Sequence, residues 1–239
     1  MVPAAAPDPS RTPDAASLCD AQVIASWHDN ATPWSAAVRN REIESRRLVT
    51  DAAIVDAVMA RAPRTVLDVG CGEGWLARAL TGRGIRVTGI DAVPALVDAA
   101  RAAQPDGDYR VSSYEDVASG ALDLTVDLAV ANFSLIGHEA VDGLVRRVPA
   151  LLARHGHFIV QTLHPATALG ELPYRDGWRP GSWAGFGPDF SNPAPWYFRT
   201  IESWVTLIAT SGLVLRELRE PVHPQHGTPA SLVLIAQKL

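Results

Sequence analysis

From position 65 onward, short runs of β-branched and aliphatic residues alternate with stretches of helical spacing, and this rhythm restricts the chain to very few architectures. Thr65 to Val69, Arg86 to Ile90, Asp108 to Val111, Val126 to Ala131 and His157 to Leu163 read as strands bounded by turn signals. Trp75 to Arg83, Pro94 to Ala103 and Ala140 to Ala153 lie between them, with apolar residues recurring at the period of a helix. Strands joined through helices run parallel, and a parallel sheet needs cover on both faces. Upstream, Asp20 to Arg39 and Ile43 to Ala62 read as two further helices, the second stopped by Pro63. Downstream, Thr200 to Ser211 is helical by spacing. Leu213 to Glu220 and Ser231 to Gln237 are strands joined by a turn containing Pro and Gly, too short for a crossover helix, so they pair antiparallel. The expected fold class is α/β: a doubly wound seven-stranded sheet, mostly parallel, with a C-terminal antiparallel hairpin and helices on both faces.

At 239 residues the chain holds one large domain or a domain with an appendage. Residues 1–17 are rich in Pro, Ala and charge with nothing large to bury, and are expected to be a flexible tail. Residues 18–62 form N-terminal helices, and 63–239 form the main domain with an insertion at about 165–200. Twenty-one basic against 26 acidic residues leave a net charge of −5, which disfavours nucleic acid as a partner. Two cysteines, Cys19 and Cys71, cannot build a disulfide framework or a cysteine zinc site, so neither thiol is expected to be structural. With no long apolar run and no basic, apolar leader, a cytoplasmic protein without a membrane partner is expected, as monomer or homodimer.

The turn after the first strand carries the chemistry. Val66-Leu67-Asp68-Val69 runs into Gly70-Cys71-Gly72-Glu73-Gly74 and then into a helix at Trp75. Alternate glycines let the backbone turn sharply and approach a ligand, whose polar groups meet the free N–H groups of the helix start. A dinucleotide fingerprint would need glycine at position 75, where Trp75 stands, so a nicotinamide cofactor is disfavoured. Asp91 ends the second strand 21 residues past Gly70, where an acidic side chain can accept hydrogen bonds from both hydroxyls of a ribose.

The segments VLDVGCGEGWLARAL, VTGIDAVPALVDAAR, VDLAVANFSLIGH and LLARHGHFIVQTLHP, in that order, resemble the successive motifs of class I S-adenosylmethionine (SAM) dependent methyltransferases of the small-molecule type, similar to the UbiE/UbiG branch. The resemblance covers roughly residues 50–165 and the terminal hairpin, and implies a Rossmann-like sheet with SAM as cofactor. It implies that Asp68, Gly70, Gly72 and Gly74 carry the methionine part, that Asp91 with Ala92 behind it holds the ribose, and that Ser113 with Tyr114 holds the adenine. Ser113 stands where an acidic residue is usual, so either Ser113 or Glu115 meets the adenine amino group. Asn132 and Phe133, ending the fourth strand, are implied to flank the transferred methyl; the alternative is a cap for the following helix.

Nine of the sixteen aromatic residues fall within 174–204, among many Gly and Pro, which reads as an irregular lid over an aromatic-lined pocket or as packing for a long insertion. Trp183, Trp196 and Tyr197 of that segment, with Trp27 and Trp34 of the first helix, are the candidate acceptor-binding residues. Arg46 or Arg39 could grip the SAM carboxylate with a planar fork. His164, at the ligand-binding edge of the sheet, and His138 are candidate bases for a hydroxyl acceptor. His223 and His226 lack a visible third ligand, so no metal is expected. The function expected is methyl transfer from SAM to a small, aromatic or heteroaromatic acceptor, with oxygen slightly favoured over nitrogen or carbon. The alternatives are methylation of a protein or tRNA, or a non-catalytic SAM-binding module.

Overall fold

The computed structural model describes residues 17–239, so all of the expected tail except Ser17 lies outside the described residues. Helix α1 (Asp20–Arg39) leads through a turn into a short π-helical stretch (Arg46–Thr50) and α2 (Asp51–Met59). Then come β1 (Thr65–Val69), α3 (Trp75–Thr81), β2 (Arg86–Asp91), α4 (Pro94–Ala103), β3 (Asp108–Val111), α5 (Tyr114–Ser119), β4 (Val126–Asn132), α6 (Glu139–Leu151) and β5 (Leu152–Thr162). The insertion contributes α7 (Pro165–Ala168), β6 (Gly177–Arg179) and β7 (Trp196–Phe198), before α8 (Ile201–Thr210), β8 (Leu213–Arg219) and β9 (Leu232–Lys238) close the chain.

The seven-stranded sheet has the order β3-β2-β1-β4-β5-β9-β8. Neighbours from β3 to β5 are parallel, and β9 is antiparallel to both β5 and β8, as the short final turn demands. Successive side chains on a strand point to opposite faces, so each central strand feeds two cores. Val66, Leu128, Val130 and Ile159 pack with Ile54 and Val58 of α2 and Leu76 and Leu80 of α3. Their strand neighbours Leu67, Ala129, Phe158 and Val160 pack with Val117 of α5, Leu144 and Val148 of α6 and Leu207 and Ile208 of α8. The order reverses between β1 and β4, and in open sheets of this kind ligands bind at the carboxyl ends of the strands flanking such a reversal.

Several details depart from the sequence reading. The second N-terminal helix starts as a π turn: the Gln161 amide group takes the Thr50 carbonyl at 2.9 Å, and Arg46 reaches five residues on to Asp51 at 3.0 Å. Helix α5 was not expected; Ser113 caps it, accepting from the Asp116 amide at 3.1 Å while Asp116 accepts from the Ser113 amide at 2.8 Å. The insertion is not wholly irregular, since β6 and β7 form an antiparallel ribbon. Cys71 is buried among Ala77, Val97, Ala100 and Tyr109 and so has a packing role, contrary to expectation.

Two long-range ties fix the N-terminal helix over the carboxyl edge of the sheet. Asp20 accepts from the amides of His138 (2.6 Å) and Ala140 (3.0 Å), capping α6 from another element. Asn30 is fully buried and exchanges two hydrogen bonds with the backbone of Ser191 in the insertion, at 2.7 and 2.9 Å. Phe158 sits at the centre of the sheet with none of its surface exposed. Phe158→Ala is expected to cost about 3–5 kcal/mol of unfolding free energy, read from the midpoint of a denaturant titration.

Candidate functional site at the glycine loop

The turn from β1 into α3 needs three left-handed residues in alternation: Gly70, Gly72 and Gly74 have φ of 71°, 56° and 84°. Their surroundings differ. A Cβ on Gly70 would come within 2.9 Å of the Tyr114 hydroxyl, and one on Gly74 within 2.9 Å of Ala100 and Tyr109, so these two glycines admit close packing of the protein on itself. Among the described residues, the same atom on Gly72 would meet nothing nearer than the Trp34 indole nitrogen at 3.9 Å. Gly72 is therefore where the loop leaves room for something other than the protein.

Two carboxylates sit beneath this opening. Asp91 accepts from the Gly72 amide through one oxygen and from the Val93 amide through the other, both at 2.9 Å. Burial raises its pKa, opposed by those amides. Asp68 is 2% exposed and its Oδ2 has no hydrogen-bond partner among the described residues. Burial first, and then the charge of Asp91, push Asp68 up to about 7. Two buried acids whose charges oppose one another form a site that a cationic ligand would stabilise. The nearby Glu73, also buried, is already held by Arg78 at 2.6 Å and approached by Arg39 at 3.6 Å.

Strand β4 closes the other side. Phe133 follows it with φ of 53°, a conformation that costs a non-glycine residue about 1–3 kcal/mol and tends to occur at functional sites. The turn lets the Ser134 hydroxyl donate to the Val69 carbonyl at 2.6 Å and puts Ser134 against Gly70, tying the ends of β1 and β4 together. Asn132 accepts from the Gln161 amide group at 2.7 Å and does not cap α6, whose N-cap is His138. Ser134 and Gln161 were not singled out from the sequence; no local signal marks them, because their partners are remote.

The remaining candidates divide. Ala92 lies half-buried between Asp91 and Val93. Ser113 is engaged in capping α5, and the Tyr114 hydroxyl donates to the Ser134 carbonyl at 3.0 Å, so the expected adenine-holding pair has structural duties and Glu115, exposed beside it, has none among the described residues. Arg39 is drawn to Glu73 and to the Ala99 carbonyl, which removes it from the choice. Arg46 bonds Asp51 through Nε and lies over the Trp75 ring at the start of α3, with its two terminal nitrogens free among the described residues. Trp27, Trp34 and Trp183 do come together, joined by Phe186, in an aromatic cluster of edge-on contacts, tilted only between Trp34 and Phe186, whose Trp34 faces Gly72. Trp196 and Tyr197 stand apart from it, Trp196 against Phe198 and Tyr197 against Trp178.

The two histidines exchange rank. His164 is 3% exposed, with Nδ1 accepting from the Ala166 amide at 3.2 Å and Nε2 at 2.7 Å from Glu220. That pattern is met by the neutral ring with its proton on Nε2, which leaves no lone pair for a substrate proton. The expectation that His164 is the base is corrected accordingly. His138 stacks on Tyr197 at 3.9 Å, and its ring nitrogens have no partner among the described residues. It lines a cavity of about 580 Å³ with Trp178, Glu115 and Glu139. His223 and His226 do have a third potential ligand, Glu44, so the reasoning that none exists is also corrected.

Because the Asp68 carboxyl titrates higher in the folded chain than in the unfolded one, the folded state binds the extra proton between the two values. Its contribution is complete below about pH 4 and is lost as pH rises to about 7. Without ligand, Asp68→Asn should therefore gain melting temperature relative to the parent across that interval and hold a constant difference above it, measured by thermal melts at a series of pH values.

Residues 67–160 match a family described as a methyltransferase domain. Among curated proteins, the ubiquinone biosynthesis O-methyltransferase of Xanthomonas axonopodis pv. citri (strain 306) is 34% identical over 126 residues, which are 49% of this chain and 51% of that protein. The chain thus spans about half the length of the curated relatives it matches. Similar solved structures include an S-adenosylmethionine-dependent methyltransferase from Mesorhizobium loti (TM-score 0.59, 23% identity, 77% of this chain and 96% of that one). Another is the 1,6-didemethyltoxoflavin-N1-methyltransferase of Burkholderia thailandensis (TM-score 0.60, 20% identity, 91% and 86%). The match to a methyltransferase domain thus runs from within β1 to within β5, and the seven-stranded sheet around it has the fold of these S-adenosylmethionine-dependent methyltransferases.

Proposed function

We propose that the protein is a cytosolic SAM-dependent methyltransferase acting on a small, flat acceptor. The observation that carries this reading is the pairing of an open left-handed Gly72 with two buried, under-neutralised carboxylates, Asp68 and Asp91. SAM brings an ammonium and a sulfonium against a single carboxylate, so it is a net cation at neutral pH and suits such a floor. Asp91 retains lone pairs for the ribose hydroxyls, Asp68 offers an unpartnered oxygen to the ammonium, and Arg46 supplies a fork for the carboxylate. Glu115 takes the adenine amino group in place of Ser113.

Methyl transfer from a sulfonium is a direct displacement with a good leaving group already in place. The protein has to hold the acceptor atom in line with the methyl and keep water out, and positioning of this kind supplies on the order of 7–11 kcal/mol. The aromatic cluster of Trp27, Trp34, Trp183 and Phe186 excludes water above Gly72 and offers ring faces to a planar acceptor. One loop, residues 133–138, begins against the glycine turn at Ser134 and ends at the cavity lined by His138 and Trp178. That volume is within the usual range of small-molecule pockets, and we assign the acceptor to it.

Relatives are divided between oxygen and nitrogen acceptors by name. We favour a hydroxyl, with His138 taking its proton, because among the described residues nothing engages the nitrogens of this ring at the cavity wall. The test is incubation with SAM and a panel of phenols, hydroxylated heteroaromatics and aromatic amines, followed by mass spectrometry for the gain of one methyl group. On a phenolic acceptor, His138→Ala should lower turnover about 10²- to 10⁴-fold and abolish its rise with pH, while SAM affinity stays near that of the parent. His164→Ala should instead lower the melting temperature and leave turnover per folded molecule little changed. Methylation confined to amines, indifferent to His138, would contradict the hydroxyl assignment.

A further inference from the structure

Three side chains that the methyl-transfer reading does not use converge at the rim of the sheet. His223 and His226 lie in the turn between β8 and β9, and Glu44 lies just ahead of the π-helical stretch, about 180 residues away in sequence. One potential ligand atom from each falls within 4.8 Å of the other two. From these observations we propose that Glu44, His223 and His226 form a binding site for a divalent transition-metal ion, and that the ion latches the β8–β9 turn to the N-terminal segment.

The turn is built to present both imidazoles. The His223 amide donates to the Thr228 carbonyl at 2.9 Å, the Gly227 amide returns to the His223 carbonyl at 2.9 Å, and Val222 pairs with Pro229. Within this tight loop the i,i+3 spacing stacks the rings at 4.4 Å and 21°. Glu44 has Arg41, Arg46 and Arg47 as neighbours in sequence, yet it makes no ion pair among the described residues and its carboxylate is among the imidazoles instead. The Gln225 amide donates to His223 Nδ1 at 3.3 Å, a long bond that metal binding exchanges for a coordinate one.

Two imidazoles and one carboxylate favour a borderline ion such as Zn²⁺, Co²⁺ or Ni²⁺ over Mg²⁺ or Ca²⁺, which prefer all-oxygen shells. Three protein ligands leave a further position to water, and the exposure of Glu44 and His226 gives that position access to solvent. Occupancy would fix Glu44, two residues before Arg46, and so restrain the segment that leads onto the glycine loop.

The test uses the full chain without a histidine tag and takes Co²⁺ as probe. Titration should give one saturable equivalent with visible d–d absorption, displaced by Zn²⁺, and should raise the melting temperature. Glu44→Gln and His226→Ala change exposed side chains, so metal-free melting should stay at the parent value, while Co²⁺ affinity falls at least about 100-fold in each, beyond the loss typical of outer-shell changes. No saturable uptake by the parent, or parent-like affinity in both variants, would overturn the proposal. SAM binding to the parent is measured alongside and does not bear on the outcome, since the site stands on residues that the methyl-transfer reading leaves unassigned.

Discussion

The hydrogen bond from the Gly72 amide to Asp91 joins the ends of β1 and β2 and sets the geometry on which the rest of the site depends. It goes with the left-handed conformation of Gly72, which turns its amide toward β2 and leaves its open side toward Trp34. The same bond opposes the rise that burial imposes on the Asp91 carboxyl, and burial together with the neighbouring Asp91 raises Asp68 beneath the loop. The fold thus stores unfavourable electrostatics at one place, at the reversal of strand order where an α/β sheet receives ligands. On the proposed reading a cationic cofactor would relieve this opposition by binding, which would link the stability of the domain to its occupancy.

Above this floor the roof is made from two distant parts of the chain. Asn30 on α1 and Ser191 in the insertion are 161 residues apart, and their reciprocal hydrogen bonds couple the helix to the lid. Trp183 of the lid likewise meets Trp27 of the helix edge-on. Separating the insertion from α1 would therefore break both the hydrogen bonds and the ring contacts, and on the proposed reading the same aromatic rings keep water from the glycine loop.

Local patterns were legible in the sequence wherever one element decides its own fate. Thr65–Val69 and Pro94–Ala103 fall where β-branched runs and a proline at the first helical turn put them. The glycine loop and Asp91 were legible for the same reason, since an alternate-glycine turn and an acid at the end of the next strand are separated by a fixed span of chain. Helix α5 carried a readable capping signal in Ser113 and Asp116, but its six residues are too few to show a period. The ribbon of β6 and β7, with three residues in each strand, is likewise set by its partner across the insertion. His164 was misread because the residue that engages it, Glu220, is 56 positions away, and Glu44 with His223 and His226 is a contact of the same kind. Sequence spacing identifies residues at the ligand edge of a sheet; which of them keeps a free lone pair is decided by tertiary contacts.

The most direct test of the central claim is isothermal calorimetry of the full chain with SAM, with its demethylated product S-adenosylhomocysteine and with NAD. The account predicts one saturable site each for SAM and the demethylated product, with no heat of binding from NAD. Saturable binding of NAD, with neither SAM nor its product bound, would contradict it.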